Sequence, residues 1–188
     1  MIKAEAQDRE LVVSILAESF DDNKSVNYIV RQDRRRVQRL VRLMEYSFDY
    51  CQLFGEVYLS DDRRGCVLAV LPEKKRATLR AIILDLRLVL GCVGLGNVGK
   101  AMAREARIKK VHPPDGFYYL WFIGVRRSEQ NKGVGGMLLK EVLQQSEGMG
   151  RPVYLETSTE KNVPWYRKFG FEVYEELDFG YRVYCMRN

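Results

Sequence analysis

The stretch Phe117–Gly136, FYYLWFIGVRRSEQNKGVGG, constrains the fold most, because an apolar run leads straight into a glycine-rich turn. Phe117–Val125 carries no charge and is mostly aromatic or branched, as expected of a central strand covered on both faces. Beyond Arg126 the chain reads Gln130-Asn131-Lys132-Gly133-Val134-Gly135-Gly136. Val134, Leu138 and Val142 then recur at helical spacing, with Leu139 and Leu143 beside them, and Gly148 and Gly150 mark the stop. Glycines at 133, 135 and 136 weaken a helix. They also leave its first backbone N–H groups uncovered, where the helix dipole places partial positive charge. A phosphate fits such a terminus.

The rest of the chain supplies elements to surround this unit. Leu11, Ile15 and Leu16 predict a first helix over Asp8–Phe20. Val37, Leu40, Val41, Met44, Phe48 and Cys51 predict a second over about Asp33–Leu53, with Asp21–Arg31 a polar connection between them. Glu56–Ser60 and Cys66–Leu71 read as strands around a hairpin loop, Asp61–Gly65. Val153–Thr157 reads as another strand, with Tyr154 and Glu156 on one face. A helix over about Asn162–Phe169 follows, then strands over Phe171–Glu176 and Tyr181–Met186. A length of 188 residues with 46% hydrophobic content suits one domain, 1–188, with its own core.

Leu79–Lys110 reads as helical at both ends with a glycine-rich break. Within it, Gly94-Leu95-Gly96-Asn97-Val98-Gly99-Lys100 matches a dinucleotide fingerprint and, up to Lys100, a phosphate loop. Ala101 stands where that loop needs a hydroxyl for magnesium, and a basic helix follows instead of a strand ending in an acid. Gly91–Gly99 is therefore read as a bend between helices.

Cys51, Cys66, Cys92 and Cys185 are scattered and His112 is the only imidazole, which argues against a zinc or other metal site and for reduced, packed thiols. His112 stands beside Pro113 and Pro114, the setting of a loop residue, yet it alone could act as an imidazole base near neutrality. The net charge is +6, and arginines concentrate in Arg34–Arg42, read as the solvated face of the second helix rather than a nucleic-acid footprint. Leu88–Gly96 is too short to span a bilayer and MIKAEAQDRE lacks an apolar signal core, so the expectation is a cytoplasmic protein with no membrane and no nucleic-acid partner.

The strand, the Gln-x-x-Gly-x-Gly turn (Gln130, Gly133, Gly135) and a later Asn-x-x-x-Tyr-x-x-x-Gly-Phe (Asn162, Tyr166, Gly170, Phe171) together resemble the GNAT superfamily of acyl-CoA-dependent N-acyltransferases. The resemblance is detailed over Phe117–Phe171 and follows only the order of elements before that. It implies an α/β fold with a mixed, mostly antiparallel twisted sheet flanked by helices, opening into a V beside Phe117–Val125. It also implies acetyl-CoA as co-substrate and direct attack by an amine acceptor, a small molecule or a peptide.

On this resemblance the pyrophosphate meets the backbone N–H groups of Asn131, Lys132, Gly133, Val134, Gly135 and Gly136, with side chains of Gln130 and Lys132 assisting. Ile123 and Val125 lend backbone groups to the pantetheine arm, Asn162 binds the cofactor and Tyr166 protonates the leaving thiolate. The family's usual strand glutamate is absent from Phe117–Val125. Glu156 is the candidate base instead, with pairing to a buried arginine its structural alternative. Tyr28, Tyr119 and Trp121 are candidate acceptor contacts, and monomer or homodimer stays open. Two rival readings remain: a GNAT-fold acyl-CoA sensor without turnover, and a nucleic-acid-binding module built on the Arg34–Arg42 helix.

Overall fold

The structure, a computed structural model of the protein, describes residues 1–114 and 116–188. Its strands are β1 (Ile2–Lys3), β2 (Gly55–Leu59), β3 (Gly65–Val70), β4 (Tyr118–Val125), β5 (Val153–Thr157), β6 (Glu172–Asp178) and β7 (Arg182–Arg187). They form one seven-stranded sheet in the order β1-β2-β3-β4-β5-β7-β6. Only β4 and β5 pair in parallel, so the sheet is mixed and mostly antiparallel, as expected.

Helices α1 (Arg9–Ser19), α2 (Lys24–Ile29) and α3 (Arg36–Phe54) precede the β2–β3 hairpin. Helices α4 (Leu79–Leu88) and α5 (Val98–Val111) separate β3 from β4, α6 (Val134–Gly148) joins β4 to β5, and α7 (Val163–Arg167) joins β5 to β6. Alternation along β3 divides the core between the two faces. Leu68 and Val70 meet Val12, Ile15 and Leu16 of α1 and Leu40, Met44 and Phe48 of α3. Val67 and Ala69 meet Leu138, Leu139 and Val142 of α6 together with Leu155 and Met186. The helical periodicities thus mark the buried stripes, except that Val37, in the first turn of α3, is exposed.

Three expectations are corrected and one strand is added. The Asp21–Arg31 connection contains α2, started by Asn23, whose side chain accepts from the Val26 N–H at 3.1 Å. The helix expected over Asn162–Phe169 shrinks to α7 behind a single 3-10 turn, Glu160–Asn162. The two-residue β1 was too short to show a period. The Arg34–Arg42 face is only partly solvated: Arg36 reaches Asp21 at 2.6 Å, and Arg39 reaches Asp33 at 2.8 Å and the Gly91 carbonyl at 3.0 Å.

The bend over Gly91–Gly99 is present. A wide π turn over Val89–Val93 ends α4, Gly94 takes φ 75° and ψ 145°, and a 3-10 turn over Leu95–Asn97 leads into α5. The four cysteines are buried and free. Among the described residues no single helix is long and apolar enough to cross a membrane.

Candidate active site

β4 and β5 pair only at Tyr118 with Val153 and Tyr119 with Tyr154. Beyond that point β4 runs on beside β3 to Val125 while β5 runs on beside β7, so the two strands part. A bulge decides which β4 backbone groups line the gap. Leu68 stands opposite Phe122 and Ala69 opposite Leu120, leaving Trp121 as the extra residue. Trp121 and Phe122 consequently share a face, with ring centroids 5.1 Å apart.

The Arg126 N–H donates to the Arg64 carbonyl at 3.0 Å, on the β3 side. Across a planar trans peptide the Val125 carbonyl therefore points away from β3, where it accepts from Ser19 Oγ at 2.7 Å and Gln130 Nε2 at 3.2 Å. By strand alternation the N–H groups of Ile123 and Val125 face the gap. Without the bulge Phe122 and Gly124 would take their places.

The glycine turn follows directly. Asn131 (φ 62°) and Gly133 (φ 91°) are both left-handed, and no side chain caps the first N–H groups of α6. Only at Gly133 does the backbone demand glycine. A Cβ at Gly135 would lie 3.7 Å from Trp165 and Val125, and one at Gly136 3.5 Å from Phe169, both ordinary contacts. Packing therefore does not require either glycine, and what they preserve is access to the backbone. Asn131 and Lys132 are exposed, whereas the Val134 side chain is buried in the α6 core and offers only its N–H. The Gln130 side chain is turned to Val125. Lys132 is turned to Glu129 at 3.4 Å, which also receives Arg64 at 2.9 Å.

Asn162 is half-buried just before α7, and its side chain makes no capping bond. One turn later the Tyr166 ring is buried beside Trp165 and Phe171, at centroid distances of 4.7 and 5.6 Å. Burial pushes the Tyr166 phenol pKa up, so it holds its proton at neutral pH. The sealed hydroxyls without a partner among the described residues are those of Tyr118 and Tyr174; Tyr166 is not one of them.

Glu156 lies at the centre of a second group. Its Oε1 is 2.5 Å from His112 Nε2, and its Oε2 accepts the Tyr119 hydroxyl at 2.6 Å. The Glu156 and His112 side chains are 7% and 9% exposed. The alternative of a buried arginine partner is not realised. His112 is accordingly no free loop residue: it follows the last turn of α5, and its ring meets Phe117 and Tyr119 edge-on at 5.2 and 5.1 Å. Burial, reinforced by the Glu156 charge, pushes the Tyr119 phenol well above its ordinary range and keeps it a donor.

The remaining acceptor candidates separate. Trp121 packs on Tyr50 at 5.6 Å and Tyr46 at 6.3 Å, and Tyr46 donates to Asp85 at 2.8 Å. Tyr28 belongs to a neighbouring group, with Tyr181 at 5.3 Å and the Lys100 ammonium 3.8 Å above its ring. The pairing of His112 with Glu156 is the feature that sequence reasoning missed. It joins residues 44 apart and leaves no local spacing to find.

Comparison with known proteins identifies the family and the fold. The model of the acetyltransferase (GNAT) family matches residues 28–171. A 62-residue stretch is 39% identical to an uncharacterized N-acetyltransferase of Schizosaccharomyces pombe, covering 33% of this chain and only 25% of that protein. The fold superposes on the structure titled histone acetyltransferase HPA2 and related acetyltransferase from Corynebacterium glutamicum, with a TM-score of 0.70, 17% identity and coverage of 99% of this chain and 93% of that one. It also superposes on a GNAT family acetyltransferase from Brucella melitensis in complex with acetyl-CoA, with a TM-score of 0.50, 16% identity and coverage of 97% and 83%. At such identities the structural likeness is one of fold.

Proposed function

Because the chain belongs to the acetyltransferase (GNAT) family, we propose that it is an N-acetyltransferase moving an acetyl group from acetyl-CoA to an amine by direct attack in a ternary complex. The observation that carries this reading is the parting of β4 from β5 along a bulged strand that ends at the uncapped α6 terminus. A pyrophosphate takes the N–H groups of Asn131 to Gly136, and a pantetheine arm adds to β4 through Ile123 and Val125 as an extra strand would. An N–H of that pair polarises the thioester carbonyl, a contribution of about 10²–10³ in rate for one oxyanion donor. Asn162 supports the cofactor from the α7 side. The acetyl-CoA bound to the Brucella melitensis relative supports this choice of donor.

In the transfer the amine nitrogen forms a bond to the acetyl carbon as the carbon–sulfur bond breaks. The nitrogen's proton passes to Glu156, whose carboxylate is held by His112 and Tyr119, and the departing thiolate takes a proton from Tyr166. Tyr119 and Trp121 wall the acceptor side and Tyr28 lies at its margin. Cys185, opposite Glu156 in the β5–β7 register, is an unsuitable covalent carrier because burial and the nearby carboxylates push its thiol up to about 12.

Mixing the protein with acetyl-CoA and a panel of small amines and peptides, with free CoA thiol as readout, tests the proposal. Amine-dependent CoA release is expected. An acetylated enzyme formed from acetyl-CoA alone would contradict direct transfer, and acetyl-CoA binding without release for any amine would favour a sensor.

A further inference from the structure

Helix α4 is apolar on two sides, and the fold covers only one. Ala81 and Leu84 are buried. On the other side Leu79, Ile82, Leu86 and Leu90, together with Ile83, follow the i, i+3, i+4, i+7 pattern of a single stripe, and the first four are 75%, 59%, 57% and 60% exposed. Past the bend, Leu95 and Met102 are exposed as well. A contiguous ridge of this kind marks an interaction surface, unlike apolar residues scattered singly.

Charge narrows the choice of occupant. From Lys74 to Lys110 there are ten lysines and arginines against Asp85 and Glu105, a surplus of eight where the whole chain carries +6. The segment with the apolar ridge therefore carries more than the entire positive excess. At the Leu90 end of the ridge lies a cavity of about 350 Å³ lined by Arg35, Arg39, Arg42, Arg87 and Leu90. Arg39 is held by Asp33 and the Gly91 carbonyl, whereas Arg35, Arg42 and Arg87 have no carboxylate partner among the described residues.

A second copy of the chain would bring the same positive surplus against itself. A nucleic acid would meet the charge and leave the leucines wet. An anionic lipid bilayer satisfies both features, taking the apolar ridge at the acyl boundary and the guanidinium groups among the headgroup phosphates. We propose that the α4–α5 segment docks the protein on the surface of an anionic membrane, lying in the interface. The bend of 99° between Leu79–Val93 and Leu95–Val111 suits a surface position. This departs from the sequence expectation of no membrane partner, which rested on the lack of a spanning segment; surface docking is a different physical claim.

The test is co-sedimentation of the full chain with vesicles of phosphatidylcholine alone, or with about a third phosphatidylserine. Two triple variants accompany the wild type: Leu79→Gln, Ile82→Gln, Leu86→Gln, and Arg35→Gln, Arg42→Gln, Arg87→Gln. The wild type should bind only the anionic vesicles, and each triple variant should partition at least about tenfold less. Acetyl-CoA affinity measured on the same samples should not change, which separates this proposal from the enzymatic one and controls for folding. Failure of the wild type to bind anionic vesicles overturns the proposal, as does undiminished binding by the apolar variant. A wild-type dimer in light scattering that the apolar variant dissolves, with no vesicle binding, also overturns it and assigns the ridge to a second copy.

Discussion

Gly94–Lys100 and Gln130–Gly136 are both glycine-rich and both lead into a helix, yet they differ in what comes before them. The first follows a helix and its π turn, and its glycine at φ 75° turns the chain between α4 and α5. The second follows β4 at the point where that strand has parted from β5, so its free N–H groups stand at the end of an open strand edge. Spacing alone makes the first look more like a phosphate site, because it carries Lys100 in the expected place. On the proposed function, the strand that aims a glycine motif decides its chemistry.

This difference says where substitutions should be felt. The largest effect belongs to the end of the gap where Glu156 sits: Glu156→Gln should lower kcat about 10²–10⁴-fold with acetyl-CoA affinity unchanged. Gly96→Ala in the bend should leave kcat alone, because its Cβ meets nothing within 4 Å. Steady-state kinetics with an accepted amine decides the matter, and an active Glu156→Gln enzyme would move the base elsewhere. Tyr166→Phe should cost less, about tenfold in kcat, since solvent can also protonate a thiolate.

Stability should reverse the ranking of the two turns. Gly94→Ala forces a side chain into a backbone region open almost only to glycine and should cost about 1–3 kcal/mol in urea unfolding. Gly135→Ala, at ordinary φ inside a helix with only ordinary contacts around a Cβ, should be neutral or stabilising by roughly 0.5–1 kcal/mol. A bend that matters little for stability would undo the structural half of the comparison.

The smallest effect is chemical. Cys92 packs within the bend, and burial pushes its thiol up to about 12, so a thiol reagent at pH 8 should leave it unmodified in the wild type and reach it sooner in Gly94→Ala. Because this folded pKa lies above the unfolded value of about 8.5, the thiol's contribution to stability is complete below that pH. It declines as pH rises towards 12.

Much of the fold was legible because its signals are local. The aromatic strand, the turn and the α6 stripe are each visible within one element, and the Asn162–Tyr166 spacing spans only a 3-10 turn and the short helix after it. The two-sided division of β3 follows from its alternation. What escaped depends on distant pairings. The bulge at Trp121 is visible only against β3, and it decides that Ile123 and Val125 face the gap. His112 is the loop residue its prolines suggest, but its burial against Glu156 of β5 depends on a partner 44 residues away. Helix α4 is apolar on two sides, and its sequence could not show which side the fold would leave bare.

Calorimetric titration of acetyl-CoA into the wild type, Gly135→Glu and Gly99→Glu tests the central claim most directly. Both positions have ordinary φ and room for a Cβ, so a carboxylate is introduced at each without backbone strain. The account predicts that the wild type and Gly99→Glu bind alike, while Gly135→Glu loses at least about a hundredfold in affinity from negative charge at the phosphate-binding amides. Undiminished binding by Gly135→Glu, or loss confined to Gly99→Glu, would contradict it and return the cofactor to the bend.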